Sequence, residues 1–200
     1  MTIHRSLNSL AVICLAVALL AGCGSSPRVR FYTLNADATP EAAASAFAPV
    51  LIGPITLPAL VDQPQLVVRT AANRVDILEV HRWAEPLKSE IPRIIAANLT
   101  VLLNQARVSA YPQNAGQEAD YRILLDIQRF EMTAGKGVAI DALWSIRRVS
   151  GGAPQTGRSV VSEPAGAGGY DALVAAQSRA LAVLSRDLAQ ALRTLSSGPP

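Results

Sequence analysis

Few residues in this chain have the types and spacing that chemistry needs. Its cysteines are Cys14 and Cys23, and its histidines are His4 and His81. A Ser-His-acid arrangement within the body of the chain could use only His81, and no Gly-x-Ser-x-Gly turn accompanies it to expose a serine. A hydrolase would therefore rest on a histidine with no evident nucleophile. Metal centres want clusters of His, Cys and carboxylate, and the sequence offers none. Spacing alone leaves paired carboxylates for glycoside chemistry open. The acids, however, fall mostly on the polar faces of predicted strands and helices, where solvation accounts for them. Gly166-Ala167-Gly168-Gly169 precedes a predicted helix. Asp171 in that helix's first turn suits the helix dipole but would repel a phosphate, and no Gly-Lys-Ser/Thr follows. The expectation is a protein with no catalytic residue, no metal and no cofactor.

The chemistry of Cys23 is of another kind. Met1 to Arg5 carries one fixed positive charge and no acid, and Leu10 to Leu20 is almost wholly apolar. A charged start followed by an apolar run of this length reads as a secretory signal; a membrane span needs about 20 apolar residues. Leu20-Ala21-Gly22-Cys23 resembles the lipobox of bacterial lipoproteins. That resemblance implies cleavage between Gly22 and Cys23 and acylation of Cys23, a covalent lipid in place of a cofactor. By resemblance to the sorting pattern of such lipoproteins, Gly24, where retention in the inner membrane would want Asp, implies the outer membrane. Stable anchoring takes more than one acyl chain, which this modification would supply. Cys14 would leave with the signal, so the mature chain would hold neither a free thiol nor a disulfide.

Loss of Arg5, the one charged residue among residues 1–22, takes the formal net charge of +3 to about +2. The basic residues are nearly all Arg and scattered singly, with Lys88 and Lys136 the two lysines. This gives no basic block of the kind nucleic-acid binding requires. The expected organisation is a signal peptide at 1–22, a lipidated tether at 23–30, one domain at 31–196 and a flexible tail at 197–200. Gly24 to Arg30 spans at most roughly 24 Å at about 3.4 Å per residue, which holds the domain close to a membrane surface.

Short strands are predicted at 31–34, 50–57, 66–69 and 75–80, with Ala72-Asn73-Arg74 as a hairpin turn. Pro54 argues for an edge or a bulge in the second strand. An amphipathic helix follows, about 86–104, with Leu87, Ile91, Ile94, Ile95, Leu99, Leu102 and Leu103 on one face. Pro92 would cost it an interior hydrogen bond, so the regular helix either begins near Ser89 or kinks there. Strands at 107–111, 121–130, 138–148 and 158–163 come next. Tyr121, Ile123, Leu125 and Ile127 alternate inward, and glycines at 135 and 137 mark a hairpin. A long helix at 171–195 closes the chain, with Leu173, Leu181, Leu184, Leu188, Leu192 and Leu195 as its apolar stripe. Strands, helix, strands, helix is an α+β pattern: a mostly antiparallel β-sheet with two amphipathic helices packed on one face.

Two segments remain, "LPALVDQPQLVVR" (57–69) and "RWAEPL" (82–87). Trp83 lies between Arg82 and Glu85-Pro86, just before the helix. It could staple the strand end to the helix or serve with Arg as an interface anchor. Together with the lipobox, Phe31-Tyr32-Thr33-Leu34, Tyr170 and the closing helix, these segments resemble the ABC-type transport auxiliary lipoproteins, the family that includes PqiC. The resemblance covers nearly the whole chain. Gln63 departs from it, standing where many relatives are expected to carry arginine. The resemblance implies an outer-membrane-anchored, non-enzymatic component of a lipid-transport system that docks an MCE-type protein held in the inner membrane, with ring-like self-association. Asp62, Pro64, Arg69, Arg82, Trp83, Glu85 and Pro86 are the candidate interface or structural determinants. The alternative is a periplasmic lipid carrier with an apolar pocket of its own.

Overall fold

The computed structural model describes residues 27–40, 47–112 and 118–197. The signal segment and Cys23 with its cleavage site lie outside the described residues. Eight strands and two helices follow in the order β1 (Arg30–Tyr32), β2 (Val50–Thr56), β3 (Gln65–Ala71), β4 (Arg74–Trp83), α1 (Leu87–Leu102), β5 (Val108–Ala110), β6 (Tyr121–Thr133), β7 (Gly137–Arg148), β8 (Gln155–Pro164) and α2 (Gly169–Ser197).

All eight strands join one sheet with β6 as its spine. On one side β6 pairs antiparallel with β7 along its whole length, and β7 pairs antiparallel with β8. On the other side its first half pairs with β2 and its last residues with β3, both parallel. The β3–β4 hairpin turns at Ala72-Asn73. The expected α+β fold is present, and its long ladders are antiparallel. The expectation omitted the short parallel pairings, which also include β1–β4 and β2–β5. They arise because β2 and β6, like β1 and β4, are joined through long intervening segments that can return the chain in the same direction.

The sheet buries one face beneath both helices. Tyr121, Ile123, Leu125 and Ile127 point inward, as their alternation predicts, and then Phe130 and Met132 do. The switch of parity falls at a bulge, where the register with β7 shifts between Ile127 and Arg129. One extra residue turns every following side chain over, so the bulge keeps the second half of β6 in the core. A second irregularity lies in β2 at Gly53-Pro54, between Ile52 and Ile55. Gly53 has φ +98°, a conformation costly to a residue with a Cβ. The proline expectation is met here as a bulge in a strand flanked by β5 and β6.

The apolar stripes of α1 and α2 are buried as their periodicity requires, except for Leu195 near the end of α2, which is half-buried. The first helix starts at Leu87 rather than Ser89, with Pro92 inside its second turn. Between the helices, within this apolar core, Asn98 Nδ2 donates to Ser185 Oγ at 3.3 Å. The chain after β1 crosses this helix pair as a strap. Its backbone N–H groups at Leu34, Asn35 and Ala38 donate to Glu90, Ser178 and Asn98 side chains at 2.8, 3.0 and 3.0 Å.

Candidate functional site: a crevice at the open end of a hairpin

The two segments singled out in the sequence meet in space because β3 and β4 are antiparallel. The start of β3 lies beside the end of β4, with Gln65 opposite Arg82. The backbone N–H of Trp83 donates to the Pro64 carbonyl at 2.8 Å, and that of Ala84 donates to Tyr32 on β1 at 2.8 Å. The connection before β3 is a tight turn in which Val61 and Asp62 N–H both donate to the Pro58 carbonyl. Gln63 Nε2 donates to the Leu60 carbonyl at 2.7 Å. Where arginine would place a long charge, Gln63 instead braces this turn.

Asp62, Gln63, Pro64, Trp83, Glu85, Pro86 and Leu87 thereby line one crevice of about 300 Å³. Trp83 is only 6% exposed and packs in the same core cluster as Leu87 and Ile91, so its ring joins the strand end to the first turn of α1. Two ion pairs fix the rim. Lys88 Nζ is 2.6 Å from Asp62 Oδ2, and Arg93 Nη2 is 2.7 Å from Glu85 Oε2. The crevice thus offers a buried aromatic floor, two prolines and a rim of paired, half-exposed charges. Such a surface suits contact with another macromolecule better than bond-making chemistry.

Five of the candidate residues, Asp62, Pro64, Trp83, Glu85 and Pro86, meet here. Arg82 stands next to them but folds back, its Nε donating to the Glu79 carbonyl at 3.0 Å. Arg69 lies apart. It pairs with Glu131 at 2.8 Å, donates to the Ala72 carbonyl at 2.9 Å and lines a separate cleft of about 240 Å³. Gly22 and Cys23 lie outside the described residues.

His81 belongs to an aromatic cluster. Its Nδ1 is 2.7 Å from the Tyr32 hydroxyl, and its ring centroid is 4.5 Å from that of Tyr170. Burial, and then the charge of Asp171, push the Tyr32 phenol above its ordinary 10.0. Among the described residues no group of three or more His, Cys, Asp or Glu could hold a metal ion.

Sequence reasoning missed Glu90. The acids are expected on polar faces, yet Glu90 is fully buried. Its Oε1 accepts the Leu34 N–H, and burial raises its carboxyl above the usual 4.5. The signal was available: position 90 precedes Ile91 and sits one turn before Ile94, at the margin of the apolar stripe. Only the strap that crosses it explains an acid there.

The other face of the sheet is open. Leu124 and Leu143 are exposed on it and, with Pro54, Thr156 and Arg158, line a broad groove of about 870 Å³.

Protein XCC0632 from Xanthomonas campestris, of the family called DUF330, has a similar structure, with a TM-score of 0.69 and 18% identity over 84% of this chain and all of that one. A crystal structure of an uncharacterized protein aligns with a TM-score of 0.67 and 18% identity over 82% of this chain and 98% of that one. These likenesses establish the fold. No match was found among curated proteins. Among the described residues no helix is long and apolar enough to cross a membrane. The family model described as the ABC-type transport auxiliary lipoprotein component matches residues 32–189, from the strand that carries Tyr32 through the crevice and into the closing helix, and the chain belongs to that family.

Proposed function

We propose that this protein is anchored to the outer membrane through lipid on Cys23, faces the periplasm, and acts without catalysis as a docking component of an ABC/MCE-type lipid-transport system that supports envelope integrity. Its partner is an MCE-type protein held in the inner membrane, and ring-like assembly of several copies would give a collar for the end of that conduit. The observation that carries this reading is the convergence of Asp62, Pro64, Trp83, Glu85 and Pro86 on one crevice, in a chain of an auxiliary transport family. An aromatic floor with a charged rim is the anatomy of a contact surface.

The test is in-cell crosslinking of the full-length lipoprotein followed by mass spectrometry of what is captured. An MCE-type or ABC-transporter protein is the expected result. Lipid alone, with no protein partner, would overturn the docking role. It would favour the carrier reading, to which the apolar groove of about 870 Å³ on the open sheet face lends support. Phospholipid retained by delipidated monomer would support that reading.

A further inference from the structure

Residues 28–31, Arg-Val-Arg-Phe, form a second feature that the crevice does not use. Val29 is 45% exposed and Phe31 66%, and the arginines at 28 and 30 are exposed beside them. Phe31 lies on β1, which among the described residues is an edge strand of the sheet paired with β4 alone. Its neighbour Tyr32 turns inward and is buried. Phe31 is thus an edge aromatic left in water, with Val29 and Arg28 exposed close by along the chain.

We infer that this segment lies on an anionic phospholipid surface and sets which side of the domain faces the membrane. The inference rests on the proposed lipid anchor at Cys23. Phe31 is eight residues beyond Cys23 and so stays within roughly 27 Å of the anchored sulfur even when the chain is fully extended. An anchor limits distance but leaves the domain free to rotate. A second contact made of apolar side chains and an arginine removes that freedom. Phe31 and Val29 enter the boundary between headgroups and acyl chains, where aromatic and aliphatic groups are favoured. Arg28 meets phosphate, to which the guanidinium geometry is suited, while Arg30 is held by a side-chain hydrogen bond to Tyr32. With β1 against the lipid, β8, which among the described residues pairs with β7 alone, stands at the far side of the sheet, away from the surface.

The experiment uses the acylated full-length protein carrying Phe31→Cys, whose thiol is the sole free one once Cys14 has left with the signal and Cys23 is acylated. A nitroxide on this thiol reports its access to an aqueous nickel relaxant and to oxygen in vesicles of phosphatidylethanolamine and phosphatidylglycerol. Val160→Cys, on the exposed side of β8, is the reference. The expected result is a several-fold loss of nickel access at position 31 relative to position 160, with oxygen access raised. Arg28→Glu or neutral phosphatidylcholine vesicles should reduce that protection. Equal nickel access at both positions in protein that floats with the vesicles and carries acyl mass on Cys23 would overturn this contact and leave the anchor standing. Absence of acyl mass and of flotation would overturn both. Protection that is indifferent to lipid charge and accompanied by line broadening between labels would assign the patch to a second copy of the chain and overturn the lipid contact.

Discussion

Trp83 and Pro64 are joined backbone to backbone, the Trp83 N–H donating to the Pro64 carbonyl at 2.8 Å. That bond closes the open end of the β3–β4 hairpin, and it places an almost fully buried indole between a proline-rich turn and the first turn of α1. Replacing Trp83 by Ala removes the floor of the crevice along with a core side chain. Unfolding in urea should show a loss of about 3–5 kcal/mol. Trp83→Phe should lose less, because it keeps an apolar ring in place. An alanine variant that melts like the parent would show that the ring does not hold the strand end to the helix.

The Lys88–Asp62 pair tests the rim separately from the fold. Both side chains are partly exposed, so the pair contributes no more than about 1 kcal/mol to stability. Lys88→Ala should leave the melting transition nearly unchanged while lowering the yield of crosslinked transport partner. Full capture by a well-folded Lys88→Ala protein would remove this part of the rim from the contact surface.

Glu90 gives a pH signature. Burial raises its folded-state pKa above the ordinary 4.5, so the folded protein holds this proton more tightly than the unfolded chain does. Stability therefore falls as pH rises from the unfolded value through the folded one. Glu90→Gln keeps an oxygen for the Leu34 N–H but carries no titrating group. It should flatten the decline above the ordinary carboxylate range. Chemical unfolding across that range checks this, and parallel curves for the two proteins would refute it.

Gly157 is held to its identity by a neighbour across the strand. A Cβ there would lie 2.2 Å from Cζ2 of Trp144, whose indole N–H donates to Ser159 Oγ at 3.1 Å. Relief requires displacing a hydrogen-bonded indole. Gly157→Ala should destabilise by about 1–3 kcal/mol, as overpacking does, with the shift visible in a thermal melt and in Trp fluorescence. A neutral substitution would mean that β8 yields more easily than its pairing with β7 implies.

Much of the architecture is legible in the sequence because it rests on local periodicity. The stripe of α1 from Leu87 to Leu102, the stripe of α2 and the alternation of Tyr121, Ile123, Leu125 and Ile127 are all where their spacing puts them. What the sequence conceals is non-local. The bulge after Ile127 leaves Phe130 and Met132 inward against a simple count. The parallel pairings depend on segments that are distant along the chain. The site was partly legible: the motif residues were identifiable, and five of them converge. Arg69 does not, since its guanidinium is taken by Glu131 and the Ala72 carbonyl. Glu90 escaped notice because its partner, the Leu34 N–H, lies in the strap, a segment with no periodicity of its own.

That strap has a mechanical meaning. Tension applied at the N-terminal end of the described chain reaches β1 first, and a pull along the strand loads its parallel hydrogen bonds to β4 in shear, all at once rather than one after another. Behind β1, the backbone at Leu34, Asn35 and Ala38 is moored to Glu90, Ser178 and Asn98 on two different helices. The load is divided between the sheet edge, where Tyr32 lies opposite Trp83 at the crevice itself, and the helix pair, which shares a pull that would otherwise fall on the crevice alone.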